Sequence, residues 1–208
     1  MALKSFVKIS GINNLSDARY CAGMTVDVLG FSFEPNHPNY MDPDKFTAII
    51  EWLSGADFCA EFENSTAEEI KETLQQYPDI QYIQIRNPNL LPALQLLQKP
   101  NILRLPAETL DSNQNLGELM ESSSSDVAFF LFEDDDNQAP DVDMALTLAE
   151  QFPILLGFGL TKENVHLILE KSNLKGIALR GGDEIKPGYK DFDDLADILE
   201  TLEIDDLE

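Results

Sequence analysis

The segment ILLGFGLTKENVHLILEKSNLKGIALRGGDE, residues 154–184, decides the fold. Its two short apolar runs are each followed by a glycine-rich turn, GFGL at 157–160 and RGGDE at 180–184, with a helical pattern between them. Parallel α/β barrels commonly bind phosphate at the loops after their seventh and eighth strands. An open doubly wound sheet usually has its glycine-rich turn after the first strand, where this chain reads SGINN. We therefore predict an α/β fold, a (β/α)8 TIM barrel.

The same alternation of apolar β-rich runs and helical patterns extends over the rest of the chain. The predicted strands are 6–9, 28–33, 57–62, 80–85, 102–105, 127–132, 154–156 and 176–179. The predicted helices are 16–22, 43–53, 66–76, 90–97, 116–121, 142–151, 162–171 and 192–202. Ser16, Ser65 and Thr161 are expected to cap three of them, and Pro43 to open a fourth. Since no linker interrupts the pattern, residues 1–208 are predicted to form one domain, with an acidic tail at about 203–208.

Composition excludes several classes of function. The formal charge of −24 repels nucleic acid and anionic membranes, so neither is expected as a partner. The two cysteines, Cys21 and Cys59, lie far apart without neighbouring metal ligands, so no zinc site and no disulfide framework is predicted. No apolar stretch is long enough for a signal peptide or a membrane span. We predict a cytoplasmic protein without metal or cofactor.

Four ordered blocks of the sequence resemble the phosphoribosylanthranilate isomerase family. VKISGINNLSDA at 7–18 is similar to the family signature VKICGITNLEDA, and DVLGFSFEPNHPNYMDP at 27–43 is similar to DALGFVFYPKSPRYVSP. Near the C-terminus, GFGLTKENV at 157–165 resembles GGLNPENV, and GIALRGGDEIKPGYKD at 176–191 resembles GVDVSSGVEXXPGXKD. The middle of the chain is similar mainly in the spacing of its strands. The resemblance implies a TIM barrel of tryptophan biosynthesis that acts on a small phosphorylated metabolite, as a monomer or a homodimer.

The family's reaction is an Amadori rearrangement, which needs a general base and a general acid, each worth about 10²–10⁴ in rate. The resemblance implies a cysteine base at the end of the first strand and an aspartate acid at the end of the sixth. At the cysteine position this chain has Ser10, a hydroxyl that cannot replace a thiolate. At the aspartate position the alignment puts Phe132. Shifting the alignment by one residue places Glu133 at the aspartate position, and Glu133 or Asp134 is then the candidate replacement acid. With that shift, however, strand alternation turns the apolar face of the strand to the wrong side of the sheet.

The resemblance also implies where a substrate would bind. Asn39 stands where the family's arginine meets the anthranilate carboxylate, and Arg86 stands where the family often has histidine. The acidic segment EDDDNQAPD, residues 133–141, replaces a glycine-rich loop. The residues expected to line a substrate or phosphate site are Lys8, Asn39, Arg86, Gly157, Gly159, Arg180, Gly181 and Gly182.

Two hypotheses about function follow from these substitutions. The first is a phosphoribosylanthranilate isomerase-like barrel with lost or altered isomerase activity and a residual anion site at loops seven and eight. In this case Lys8, Glu61, Arg86 and Arg180 form a charged network where the family has its substrate pocket. The alternative is an active phosphoribosylanthranilate isomerase with replaced acid and base groups. A third reading, a protein-interaction module, depends only on the acidic tail.

Overall fold

The computed structural model describes residues 2–112, 115–134, 141–181, 184–186, 189–190 and 193–204. Eight parallel strands pair in chain order, and the first pairs with the eighth, so the sheet closes into a barrel. The predicted TIM barrel is confirmed. The barrel strands are β1 (Phe6–Ser10), β2 (Val28–Ser32), β3 (Asp57–Glu61), β4 (Tyr82–Ile85), β5 (Asn101–Pro106), β6 (Phe129–Glu133), β7 (Ile154–Gly157) and β8 (Gly176–Arg180).

Helices follow the strands on the outside of the barrel. They are α1 (Leu15–Gly23), α2 (Pro43–Ile50), α3 (Ala67–Leu74), α4 (Leu91–Leu94), α5 (Thr109–Ser112), α6 (Leu116–Ser123), α7 (Asp143–Leu148), α8 (Val165–Lys171) and α9 (Asp193–Leu202). Short 3-10 turns, Pro88–Leu90 and Gln95–Leu97, flank α4. Helix α5 and a short antiparallel pair after the barrel, β9 (Glu184–Lys186) and β10 (Tyr189–Lys190), are additions to the predicted elements.

Helix starts differ from the predicted caps in three places. Asn14 caps α1 and Thr66 caps α3, so the predictions of Ser16 and Ser65 are wrong by one or two residues. Thr161 lies in a turn before α8 and does not cap it. Only Pro43 lies where expected, at the start of α2 behind the cap Asp42. At α1 and α3 the polar residue that reaches the first free N–H groups lies two positions and one position from the predicted residue, a difference that spacing alone does not distinguish.

The apolar residues form two cores, one between the sheet and the helices and one inside the barrel. Alternate residues of each strand face alternate cores, because successive side chains of a strand point to opposite faces. The inner core is small: Val28, Cys59, Ile102, Leu131, Leu155 and Ala178. Towards the carboxyl ends of the strands, the inward positions are taken by polar and charged residues instead, which are described below.

Glycines in two strands make room for those charged side chains. A Cβ on Gly157 would lie 2.7 Å from Cγ of Glu133 and 2.8 Å from the carbonyl oxygen of Phe132. A Cβ on Gly30 would overlap the carboxylate of Glu61 and touch Nζ of Lys8. Both strands therefore need glycine for close approach of a neighbouring side chain, a use of glycine that requires no unusual backbone angle.

The C-terminal segment is tied to the N-terminus as far as the structure describes it. Leu3 and Glu203 form an isolated bridge, and the N–H of Ile204 donates to the carbonyl of Ala2. Residues 205–208 of the predicted acidic tail lie outside the described residues. Within the described ranges, no helix is long and apolar enough to cross a membrane.

Candidate functional site

The carboxyl ends of the barrel strands carry a connected group of charged side chains, which we call the mouth network. Its members come from β1, β3, β5, β6, β8 and the residues just after β3 and β4: Lys8, Ser10, Glu61, Glu63, Arg86, Arg104, Glu133 and Arg180. TIM barrels place their reaction centres at this end because the loops there converge on one opening. The mouth network therefore occupies the position of an active site.

Glu133 is the centre of the mouth network. Its Oε1 accepts a hydrogen bond from the hydroxyl of Ser10 at 2.8 Å. Its Oε2 accepts from Nε of Arg104 at 2.5 Å and from a guanidinium nitrogen of Arg180 at 2.9 Å. The Glu133 side chain is only 2% exposed, as is that of Arg104. A buried carboxylate needs such partners, because leaving it unpaired away from water costs several kcal/mol, roughly.

Lys8 extends the mouth network to the other side of the barrel. Its Nζ donates to the Ser10 hydroxyl at 2.7 Å and to Oε1 of Glu61 at 2.5 Å. The other oxygen of Glu61 accepts the N–H of Gly11 at 3.1 Å. Ser10 thus accepts from Lys8 and donates to Glu133, so both hydrogen-bonding functions of its hydroxyl are used inside the barrel.

Glu63 joins the rim of the mouth to its interior. It accepts from Arg86 at 3.2 Å and lies 3.5 Å from a terminal nitrogen of Arg104. Acidic and basic groups therefore alternate in a continuous series, which we call the ion-pair chain: Arg86, Glu63, Arg104, Glu133, Arg180. The middle of this chain is buried, and its two ends are partly exposed, Arg86 at 33% and Arg180 at 47%.

Charges around Glu133 and Lys8 fix their protonation states. Burial alone would raise the pKa of the Glu133 carboxyl, but Lys8, Arg180 and Arg104 together outweigh it and lower that pKa to about 2. Burial would lower the pKa of Lys8, and the carboxylates of Glu61 and Glu133 raise it instead. At neutral pH Glu133 is therefore ionised and Lys8 is protonated, so the first cannot donate a proton and the second cannot accept one.

The cysteine inside the barrel offers no substitute base. Cys59 lies in the inner core on β3, and burial raises the pKa of its thiol to about 12. Within the described part of the chain, no group of three or more His, Cys, Asp or Glu residues is arranged to hold a metal ion.

The expected position of Phe132 is corrected by the structure. Phe132 is fully buried in the outer core, between the sheet and the helices, whereas Glu133 points into the barrel. Strand alternation in the sequence predicts that an apolar face of β6 points into the barrel. Both faces of this strand are in fact buried, as is usual for parallel strands, so Phe130 and Phe132 face the helices and Leu131 faces the inner core.

Arg104 was missed by sequence reasoning, although it carried a signal. It lies within the apolar run NILRLP of β5, where a charged residue must find a buried partner. The proposed members Lys8, Glu61, Arg86 and Arg180 all belong to the mouth network, and Ser10, Glu63, Arg104 and Glu133 connect them. Arg86 binds Glu63 rather than Glu61, and Glu61 binds Lys8.

The other predicted binding residues lie around the mouth or behind it. Asn39 is held at the rim, where its side-chain oxygen accepts from Nδ2 of Asn13 at 2.9 Å. Gly157 lies against Glu133, and Gly159 adopts a positive φ of 66° in the loop after β7. Gly181 directly follows Arg180, and Gly182 lies outside the described residues. Their roles in binding stay predictions.

Comparisons with known proteins agree with the fold and the quoted motifs. No protein-family model matches the chain. An N-(5'-phosphoribosyl)anthranilate isomerase of Trichormus variabilis is 28% identical over 209 residues, covering 94% of this chain and 97% of the relative. The crystal structure of phosphoribosyl anthranilate isomerase from Thermotoga maritima superposes with a TM-score of 0.74 at 21% identity, covering 95% of this chain and 98% of that one. A complex of such an isomerase with reduced 1-(o-carboxyphenylamino)-1-deoxyribulose 5-phosphate gives a TM-score of 0.73 at 22% identity, with the same coverage. The chain belongs to the phosphoribosylanthranilate isomerase family.

Proposed function

We propose that this barrel no longer catalyses the isomerase reaction and that its mouth binds a small anionic metabolite instead. The observation that carries the proposal is the direct hydrogen bond between Ser10 and Glu133, the two residues at the inward ends of β1 and β6. These are the strand ends from which the resemblance predicts the base and the acid. In this chain the side chains at these two strand ends are hydrogen-bonded to each other.

A catalytic acid and base must lie on either side of the sugar that they act on. An oxygen-to-oxygen distance of 2.8 Å leaves no room for a sugar between Ser10 and Glu133. Opening that space would separate Glu133 from Ser10 and also strain its contacts with Arg104 and Arg180. The geometry thus supports a sealed reaction centre.

The protonation states lead to the same conclusion. The reaction needs an acid that is protonated near neutral pH, and the pKa of Glu133 is about 2. It also needs a base, and among the described residues the hydrogen-bond partners of the Ser10 hydroxyl are protonated Lys8 and ionised Glu133. If the two contributions multiply, losing both groups lowers the rate by roughly 10⁴–10⁸.

An anion site at loops seven and eight is the second part of the proposal. Arg180 is half-exposed at the end of β8 and is followed by Gly181, whose N–H group adds a local donor. The ligand in the isomerase complex named above carries a phosphate. This supports a phosphate-bearing ligand for the present chain, with Arg180 supplying charge against the overall acidity.

The isomerase assay tests the first part. Phosphoribosylanthranilate is incubated with protein purified from a host that lacks its own isomerase, and the loss of anthranilate-adduct fluorescence is followed. We expect no turnover above the uncatalysed rate. Ser10→Cys alone should also be inactive, because Glu133 stays ionised and held by two arginines.

The matched control is Ser10→Ala, which removes the hydroxyl and cannot create a base. Turnover at ordinary enzyme rates by the unmodified chain, reduced in Ser10→Ala, would show that the barrel is an active isomerase and would refute the proposal. Equal turnover by both proteins would refute it as well, because the host supplies no isomerase, and would show that the base is a residue other than Ser10.

A further inference from the structure

We infer that the barrel mouth binds an uncharged carboxamide group of a small molecule on the side formed by β2, β3 and β4. The residues that carry this inference are Ser32, Glu61 and Gln84, which we call the polar row. The inference rests on the proposed function, in which the mouth binds a small metabolite, and adds the kind of group that this metabolite carries away from its anion.

The polar row faces the inside of the barrel. Ser32 pairs with Glu61, and Glu61 pairs with Gln84, so three neighbouring strands place these residues side by side. The residues two or four positions earlier on the same strands all belong to the inner core or pack against it: Val28, Cys59 and Tyr82. Since side chains two positions apart share a face of a strand, the polar row points inwards at the level of the mouth.

Gln84 brings an unused hydrogen-bond acceptor to the polar row. The residue is 5% exposed, and its Oε1 has no hydrogen-bond partner among the described residues. Buried polar atoms are normally satisfied by protein, by water or by a ligand, because leaving them without a hydrogen bond costs free energy. The terminal amide torsion of glutamine is broad, so this amide can turn towards a ligand in the mouth without a change in the backbone. Gln84 therefore needs a donor that the described part of the chain does not supply.

The charges beside Gln84 limit the groups that can supply this donor. Glu61, its neighbour in the polar row, is a carboxylate that accepts from Lys8 and from the N–H of Gly11, so it would repel an anionic group. Lys8 already balances the charge of Glu61, so a cationic group would meet Nζ of Lys8 without a carboxylate left to pair with. The group that fits beside Gln84 is therefore neutral.

A primary carboxamide fits the polar row better than a hydroxyl group does. The amide of Gln84 holds an acceptor and a donor side by side, and a second amide complements both at once, as in the two-bond pairing of glutamine with adenine. The second N–H of the ligand is then available to Glu61, whose oxygens keep further lone pairs, and the Ser32 hydroxyl can donate to the ligand carbonyl. A hydroxyl has a single hydrogen and satisfies only one of these two acceptors.

Titration of the ¹⁵N-labelled protein, followed by NMR, tests the inference with three small probes. Glycolamide and glycolate are nearly equal in size and differ in carrying an amide or a carboxylate, whereas glycerol offers hydroxyl groups only. We expect glycolamide to shift the side-chain amide signals of Gln84 saturably, with a dissociation constant on the order of 10 mM for so small a molecule. Glycolate lacks the N–H donors and adds a negative charge, and glycerol lacks the paired donor and acceptor. Both should bind at least about ten-fold more weakly.

Two variants locate the bound amide. Gln84→Met removes both hydrogen-bonding atoms of the side chain and nearly keeps its volume, so ligand-observed NMR should show glycolamide binding at least about ten-fold more weakly. Gln76→Met, at an exposed position after α3, is the matched control and should bind glycolamide like the unmodified chain. If Gln84→Met does not fold, the three probes in the unmodified chain decide, because the shifted Gln84 signals locate the bound molecule.

The outcomes separate this inference from the proposed anion site. Glycolamide binding that leaves the Gln84 signals unchanged, or that survives in Gln84→Met, would refute the inference. Equal binding of glycerol or glycolate, or binding of none of the probes, would refute it too. Inorganic phosphate, titrated into the same sample and followed at the backbone signal of Gly181, tests the anion site separately, so the failure of one site is not mistaken for the failure of the other.

Discussion

Replacing Glu133 by glutamine removes the charge at the centre of the mouth network and nearly preserves the shape of the side chain. Lys8, Arg104 and Arg180 would then lose a shared counterion inside the barrel. The pKa of Glu133 is about 2, compared with an ordinary value of 4.5. Since one pKa unit corresponds to about 1.4 kcal/mol, the ionised group contributes about 3 kcal/mol at neutral pH. Breaking a buried ion pair by removing one partner typically costs a similar amount, about 3–5 kcal/mol.

The sign of the pH dependence follows from the lowered pKa. The contribution of Glu133 is fully present above 4.5 and is lost as the pH falls towards about 2. The free energy of unfolding, measured with urea at several pH values, should therefore be about 3 kcal/mol lower in Glu133→Gln at pH 7. This gap should narrow steadily below pH 4.5. The comparison between variant and parent cancels the titration of the other carboxyl groups.

Glu68→Gln is the matched control, because Glu68 forms an exposed i, i+3 pair with Lys71 on α3 and is 80% exposed. Exposed pairs contribute little, so this variant should unfold like the parent at every pH. A Glu133→Gln protein that is as stable as the parent at pH 7 would refute the reasoning. So would a gap of the same size at pH 7 and near pH 2.

Two more predictions concern the strand glycine and the overall charge. Gly157→Ala should lower the free energy of unfolding by about 1–3 kcal/mol, because the new methyl group would overlap Glu133 and the backbone of Phe132. The control in the same denaturation assay is Gly117→Ala, since a Cβ at Gly117 meets nothing within 4 Å. Sodium chloride should raise the melting temperature, because it screens the repulsion within a chain of charge −24. The rise should be about 2–4 °C per kcal/mol of repulsion removed, and a melting temperature that is flat or falls with salt in differential scanning calorimetry would contradict it.

The fold could be predicted from the sequence because its signal is repeated. Each strand is a short apolar run and each helix a longer periodic pattern, so errors of a few residues at single boundaries do not change the alternation. Helix α5 was missed since four residues are too few to show a helical period. The fold's chain order then brings Lys8, Glu61 and Arg180 to one end of the barrel, as expected for parallel strands.

The face of β6 could not be predicted from the strand itself. The run FFLFE is apolar at every position before Glu133, so periodicity does not tell which set of side chains points inward. What decides it is the partner: Glu133 can be buried only where Arg104, Arg180 and Lys8 meet it. These four residues lie on four different strands, β1, β5, β6 and β8, and they come into contact only in the closed barrel.

The hydrogen bond between Ser10 and Glu133 joins residues 123 positions apart. Such a contact can form only after the first and sixth strands have joined the same sheet. Joining them requires the closure of a long loop, whose entropic cost makes this contact a late event in folding. The free energy of this hydrogen bond should therefore affect mainly the rate of unfolding. We expect Glu133→Gln to accelerate unfolding much more than it slows refolding, so the contacts of Glu133 at the barrel mouth should contribute mainly to the kinetic stability of the native protein.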